Sequence, residues 1–209
     1  GLLATGAKLI YVCSPNNPTG TVASRAALER LMDRAPGLVL LDEAYAEFAT
    51  ESRLELARRP NVLVTRTLSK AFGLAALRVG YAVGAPELVA EVEKARGPYK
   101  VSALSERMAV AALAEDVPWM RTHVQEALAI RERLVEELRA LELAILPTEA
   151  NFVMVPLRGA QAVADRMRER DVNVRSFTGL PGIGDALRIG CGPWNLMRAA
   201  LDALREALR

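Results

Sequence analysis

Histidine is almost missing: His123 is the only one in 209 residues. That excludes a multi-histidine metal centre and argues against a histidine-based catalytic triad. Cysteine is limited to Cys13 and Cys191, too few for a disulfide scaffold or a four-cysteine zinc site. No excess of one charge exists either. The 27 basic and 25 acidic residues leave a net +2, which argues against nucleic acid as a partner. No apolar run approaches the roughly 18 residues that cross a bilayer, so no membrane partner is expected. No basic-then-apolar leader opens the chain, and a cytoplasmic setting is the expectation. Lysine is scarce as well. Lys8, Lys70, Lys94 and Lys100 are all there are, so any lysine chemistry must use one of these four.

What is present suffices for a core, at 51% hydrophobic and 25% charged residues. Residues 8–14 form an apolar run stopped by Pro15-Asn16-Asn17-Pro18-Thr19-Gly20. Residues 38–41, 62–65 and 79–84 repeat the pattern. Short apolar runs bounded by turn residues read as buried strands. Ser24 predicts an N-cap for a helix over 25–35. Strands alternating with helices predict an α/β fold with a mostly parallel sheet. The link from 70 to 78 is too short for a crossover helix, which predicts an antiparallel fourth strand. Helices are expected at 86–95 and almost continuously over 102–141, with Pro118 the interruption. The run 131–137 reads as a solvated face. The last third predicts strands at 143–146, 152–155, 172–175 and 187–190, with helices at 159–170 and 194–208. This is a second, smaller α+β domain, giving domains 1–120 and 121–209.

Polar residues cluster just after the first three strands: Asn17, then Asp42 with Tyr45, then Ser69-Lys70. In open α/β sheets ligands bind at the carboxyl ends of strands. Each cluster alone reads as a turn, a helix cap or a surface dipeptide. Their joint occurrence at three strand ends points to chemistry. A lysine in such a cleft can form a Schiff base with a carbonyl, which pyridoxal phosphate exploits. Asp42 is a suitable partner for the pyridine nitrogen. Asn17 and Tyr45 can donate to the phenolic oxygen. Thr67, Ser69 and Arg78 can supply hydroxyl and bidentate cationic donors to the phosphate.

The segments Ser14–Gly20, Asp42-Glu43-Ala44-Tyr45 and Thr67–Tyr81 resemble the fold-type-I class I/II aminotransferases, whose architecture is that of the aspartate aminotransferases. Within them the chain is most similar to the histidinol-phosphate aminotransferases. The third segment is the most specific, because Lys70 and Arg78 lie inside a long matching string. Arg96–Tyr99, Ala150–Val153, Val174–Phe177 and Leu187–Ile189 add to it. The resemblance spans essentially the whole chain, as the later part of a family member. It implies that Lys70 carries the cofactor and shuttles the proton. It assigns Asn17, Asp42, Tyr45, Thr67, Ser69 and Arg78 to cofactor binding, and Asn151, Arg175 and Arg188 to substrate. The implied reaction moves an amino group from L-histidinol phosphate to 2-oxoglutarate, in histidine biosynthesis, by a homodimer. The alternatives are decarboxylation of a phosphorylated amino acid, with the same cofactor residues, and an inactive fragment. The chain starts without methionine close to a buried-looking strand, so a preceding N-terminal part is expected. Two positions depart from the family pattern. Arg188–Asn195 is shorter and less acidic than expected, and Lys100 stands where asparagine is expected. Both bear on substrate more than on cofactor.

Overall fold

The computed structural model describes residues 2–209. They form two compact units. The first comprises the residues up to Asn16 together with Val22–His123, and the second comprises Asn17–Thr21 and Val124–Arg209.

The first unit is built on a four-stranded sheet in the order β1 (Leu9–Cys13), β2 (Leu38–Asp42), β3 (Val62–Thr67), β4 (Gly80–Gly84). β1, β2 and β3 are parallel, and β4 returns antiparallel to β3, as the short 70–78 link predicts. Helix α1 (Arg25–Arg34) begins at Ser24, whose side chain accepts a hydrogen bond from the Ala27 amide. That bond satisfies one orphan donor of the first turn. Leu28 and Met32, one turn apart, drop onto Ile10, Val39, Leu41, Val62 and Val64. These strand residues alternate with the opposite face, as a period of two requires. Helix α2 (Pro86–Ala95) opens with Pro at its first position, where a missing N–H costs nothing.

The continuous helix expected over 102–141 is two helices, α3 (Ala103–Glu115) and α4 (Val117–Ala140). The break lies at Asp116, because Pro118 is tolerated in the first turn of a helix and not inside one. The second unit packs α4, α5 (Ala160–Arg168) and α6 (Trp194–Ala207) on a three-stranded antiparallel sheet, ordered β5 (Phe152–Pro156), β7 (Gly184–Gly190), β6 (Arg175–Leu180). Val153, Val155, Leu187 and Ile189 face the helices and meet Leu134, Leu138, Val163, Met167 and Leu201. The strand expected at 143–146 does not form. That segment runs beside β5 with a single ladder-type bond, from the Leu146 amide to the Met154 carbonyl (3.0 Å). The strand expected at 172–175 starts only at Arg175 and runs to Leu180. Gly179, at φ 64°, lies inside this strand, and a glycine there weakens the local strand signal. The face over 131–137 is less solvated than its charges suggest. Arg131 donates to the Ala150 carbonyl (3.1 Å), Arg133 lies 3.7 Å over the Trp194 ring, and Glu137 pairs with Arg205 at 2.9 Å. Among the described residues no helix is long and apolar enough to cross a membrane, and no cluster of His, Cys, Asp and Glu could hold a metal ion.

Candidate active site

Because β1, β2 and β3 are parallel neighbours, their carboxyl ends lie along one edge of the first sheet. The chain stays laced after each strand ends. The Ser14 amide bonds the Asp42 carbonyl and the Glu43 amide bonds the Thr65 carbonyl, both at 2.9 Å. Asp42 is the last residue of β2. Its Oδ1 accepts from the Ala44 amide (3.0 Å) and its Oδ2 from the Tyr11 hydroxyl (2.5 Å). Tyr45 is buried, and Lys70 Nζ lies 5.4 Å from the centre of its ring.

Lys70 is exposed, and its neighbours explain why. Leu68 and Phe72 are both buried, and the turn closes through Gly73 amide to Lys70 carbonyl and Leu74 amide to Leu68 carbonyl, each at 3.0 Å. Two apolar anchors thus fix the backbone and leave the lysine between them pointing away from the core. Lys94 is engaged with Glu91 at 2.5 Å. Thr67 Oγ1 accepts from the Ser69 amide (3.1 Å), which holds both hydroxyl-bearing residues in one turn. Arg78 is exposed and donates to the Ala75 carbonyl (2.9 Å). Its φ of 55° puts a bulky residue in the left-handed region, at a cost of about 1–2 kcal/mol. Strain of that kind is held where a side chain must be aimed.

Beneath this edge lies a charged cluster that strand-end reasoning overlooks. Glu43 is 1% exposed. It receives Arg66 Nη2 at 2.7 Å and Nε at 3.1 Å, and the Arg53 amide at 2.5 Å. Arg66 also donates to Ser52 Oγ (2.6 Å). Burial alone would push the guanidinium toward its neutral form, but the Glu43 bonds outweigh it and hold the charge. Glu47 lies 4.0 Å from Arg66 with its other oxygen buried and unpartnered, and burial raises its carboxyl above the ordinary range. The signal was available. Glu43 and Arg66 occupy neighbouring strand ends, where a charge can be buried only with a partner.

The second unit holds the remaining candidates. Asn17 belongs to the short segment 17–21 seated there, where the Glu149 amide bonds the Gly20 carbonyl (2.8 Å). Gly20 has φ 78°, and a Cβ on it would lie 2.1 Å from Thr148 Oγ1, so only glycine fits. The Asn17 side-chain oxygen accepts from Arg188 Nη1. The Arg188 guanidinium also lies 4.9 Å from the Phe152 ring centre. On the neighbouring strand Arg175 stands directly opposite Arg188. Opposed residues share a face with Cβ atoms about 4.5–5.5 Å apart, and like charges so placed repel. Among the described residues neither arginine has a carboxylate within ion-pair distance. Asn151 contributes its carbonyl to the Cys191 amide (2.9 Å). Burial pushes the Cys191 thiol up to about 12, which disfavours the reactive thiolate.

The model of the family described as aminotransferase class I and II matches residues 2–204. A histidinol-phosphate aminotransferase from Caldanaerobacter subterraneus is 38% identical over 203 residues, covering 96% of this chain and 57% of that protein. An aromatic amino acid aminotransferase from Nocardia farcinica is 46% identical over 159 residues, covering 72% of this chain and 44% of that protein. Among solved structures, histidinol-phosphate aminotransferase from Sinorhizobium meliloti in complex with pyridoxal-5'-phosphate superposes with a TM-score of 0.88 at 31% identity. The match covers 100% of this chain and 60% of that one. The chain thus spans little more than half the length of the first relative.

Proposed function

The chain belongs to the class I and II aminotransferases, and from that premise we propose that it serves a pyridoxal phosphate-dependent transamination whose amino donor is a phosphate ester, L-histidinol phosphate, with 2-oxoglutarate as acceptor. The observation that carries the choice of donor is the opposed pair Arg175 and Arg188. Two uncompensated guanidinium groups on one face make a site for a dianion or for two oxygens of a carboxylate. One pair can therefore receive the donor's phosphate in one half-reaction and the acceptor's carboxylate in the other.

The first unit's donor set fits the cofactor. It offers a lysine at a strand end, a carboxylate with both oxygens already oriented, two hydroxyls in one turn and a strained, exposed arginine. When bound, pyridoxal phosphate supplies an electron sink for charge released at the amine-bearing carbon. Asp42 would face the ring nitrogen and favour a proton there. Lys70 Nζ would hold the cofactor and would serve as the base that moves the proton at the reacting carbon. Tyr45 and Asn17 would donate to the phenolic oxygen, and Thr67, Ser69 and Arg78 would hold the phosphate. Asn151 supports the substrate side.

The identity to an aromatic amino acid aminotransferase favours a second reading, in which the donor carries an α-carboxylate and no phosphate. Comparing kcat/KM for L-histidinol phosphate, L-histidinol and L-phenylalanine decides between them. The phosphate donor should lead by about tenfold to a hundredfold, the worth of hydrogen bonds to a charged group. Arg175→Ala should remove most of that lead and leave histidinol unchanged. L-phenylalanine as the best donor would overturn the phosphate reading.

A further inference from the structure

We infer that Tyr11 is a positioning residue for Asp42, fixing the orientation of the carboxylate that faces the cofactor's ring nitrogen. The inference rests on the functional reading above and adds a residue to its machinery.

The geometry starts from the register. Tyr11 on β1 stands opposite Leu40 on β2, and Asp42 lies two residues further along β2. With a side-chain period of two, Tyr11 and Asp42 share a face and are diagonal neighbours, a separation that a long aromatic side chain spans. The phenol reaches Oδ2 at 2.5 Å, while the Ala44 amide holds Oδ1 at 3.0 Å. With one donor on each oxygen, the carboxylate cannot turn about its terminal bond without losing one of them. The two donors come from different elements, the phenol from β1 and the amide from the turn after β2, so the carboxylate plane is held from both sides. A carboxylate of fixed orientation is what a directed contact with a pyridine nitrogen requires.

Tyr11 keeps 55% exposure, as does Leu9 on the same face, and its hydroxyl end is the part that Asp42 engages. Asp42 and Cys13 are the titratable groups that face the phenol. Burial of the phenol group, then the bond and the negative charge of Asp42, raise its ionisation above the ordinary tyrosine range. The hydroxyl therefore remains a donor throughout the neutral and mildly alkaline range.

Tyr11→Phe deletes one hydroxyl and keeps the ring, and circular dichroism checks that the fold is intact. The dissociation constant for pyridoxal phosphate, measured by fluorescence in Tyr11→Phe, Asp42→Asn and the double variant, is the principal readout. Tyr11→Phe should weaken cofactor binding about tenfold, but by less than about twofold when Asp42 is already asparagine, because the hydroxyl acts through the carboxylate. In turnover, kcat should fall about tenfold while KM for the amino donor stays within about twofold. Unchanged cofactor affinity in Tyr11→Phe, or the same tenfold loss in both backgrounds, would overturn the assignment. A parent protein that binds no pyridoxal phosphate would instead overturn the functional reading, and Tyr11's role with it. The two failures are therefore told apart by the parent alone.

Discussion

The two units hold their polar residues by different means. In the first, Asp42, Ser69 and Lys70 stand where parallel strands end or just beyond, and parallel pairing brings those ends to one edge. Topology alone juxtaposes them. In the second, Arg175 and Arg188 stand within antiparallel strands, and only the register brings them face to face. A slip of one residue in β6 would send Arg175 to the helix-packed face. The site of the antiparallel sheet therefore depends on alignment held residue by residue. The contrast extends to what lies beneath. The first unit supports its edge with a buried ion pair, and the second seats the 17–21 segment with a close glycine contact.

The largest expected effect tests the first support. Glu43→Ala leaves the Arg66 charge buried without its partner, which costs about 3–5 kcal/mol. Urea unfolding should show that loss, and amide exchange should quicken across β2 and β3 while β5 and β7 keep their protection. Equal quickening in both units would erase the distinction between them. A smaller effect is expected at the second seat. Gly20→Ala forces a Cβ against Thr148 and strains a positive φ, at a cost of about 1–3 kcal/mol. Thr148→Gly should recover part of it, because the clash is relieved and the strain is not. Full recovery would mean that the backbone angle contributes nothing.

Legibility followed the same division. The strands of the first unit, the antiparallel return of β4 and the Ser24 cap were readable because each rests on a local signal: an apolar run, a short link, a hydroxyl three residues before a first-turn amide. Asp42 and Lys70 were readable as strand-end residues. Tyr11 was not, because nothing in a run of apolar residues tells which strand will lie beside it two positions out of step. The segment 143–146 has the composition of a strand but not the partners, since its backbone makes one ladder-type bond to β5. The opposition of Arg175 and Arg188 depends on long-range register, which no local pattern encodes. The break at Asp116 reflects a rule of position: Pro118 marks a helix start as readily as an interruption.

The smallest effect is a pH dependence confined to the first unit. Burial raises the Glu47 carboxyl in the folded state. Its contribution to stability is therefore full below the unfolded value and is lost as pH rises through the folded one. Glu47→Gln should leave stability at pH 4 unchanged and raise it slightly at pH 8. A larger gain at pH 4 than at pH 8 would reverse the sign and show that Arg66, not burial, governs the group.

The central claim is that Lys70 is the lysine that takes the cofactor. Borohydride reduction of the protein with pyridoxal phosphate, followed by tryptic mapping, tests it directly. The account predicts the label in one peptide, from Thr67 to Arg78, and its loss in Lys70→Ala together with transamination. Label on Lys8, Lys94 or Lys100, or label that survives Lys70→Ala, would contradict it.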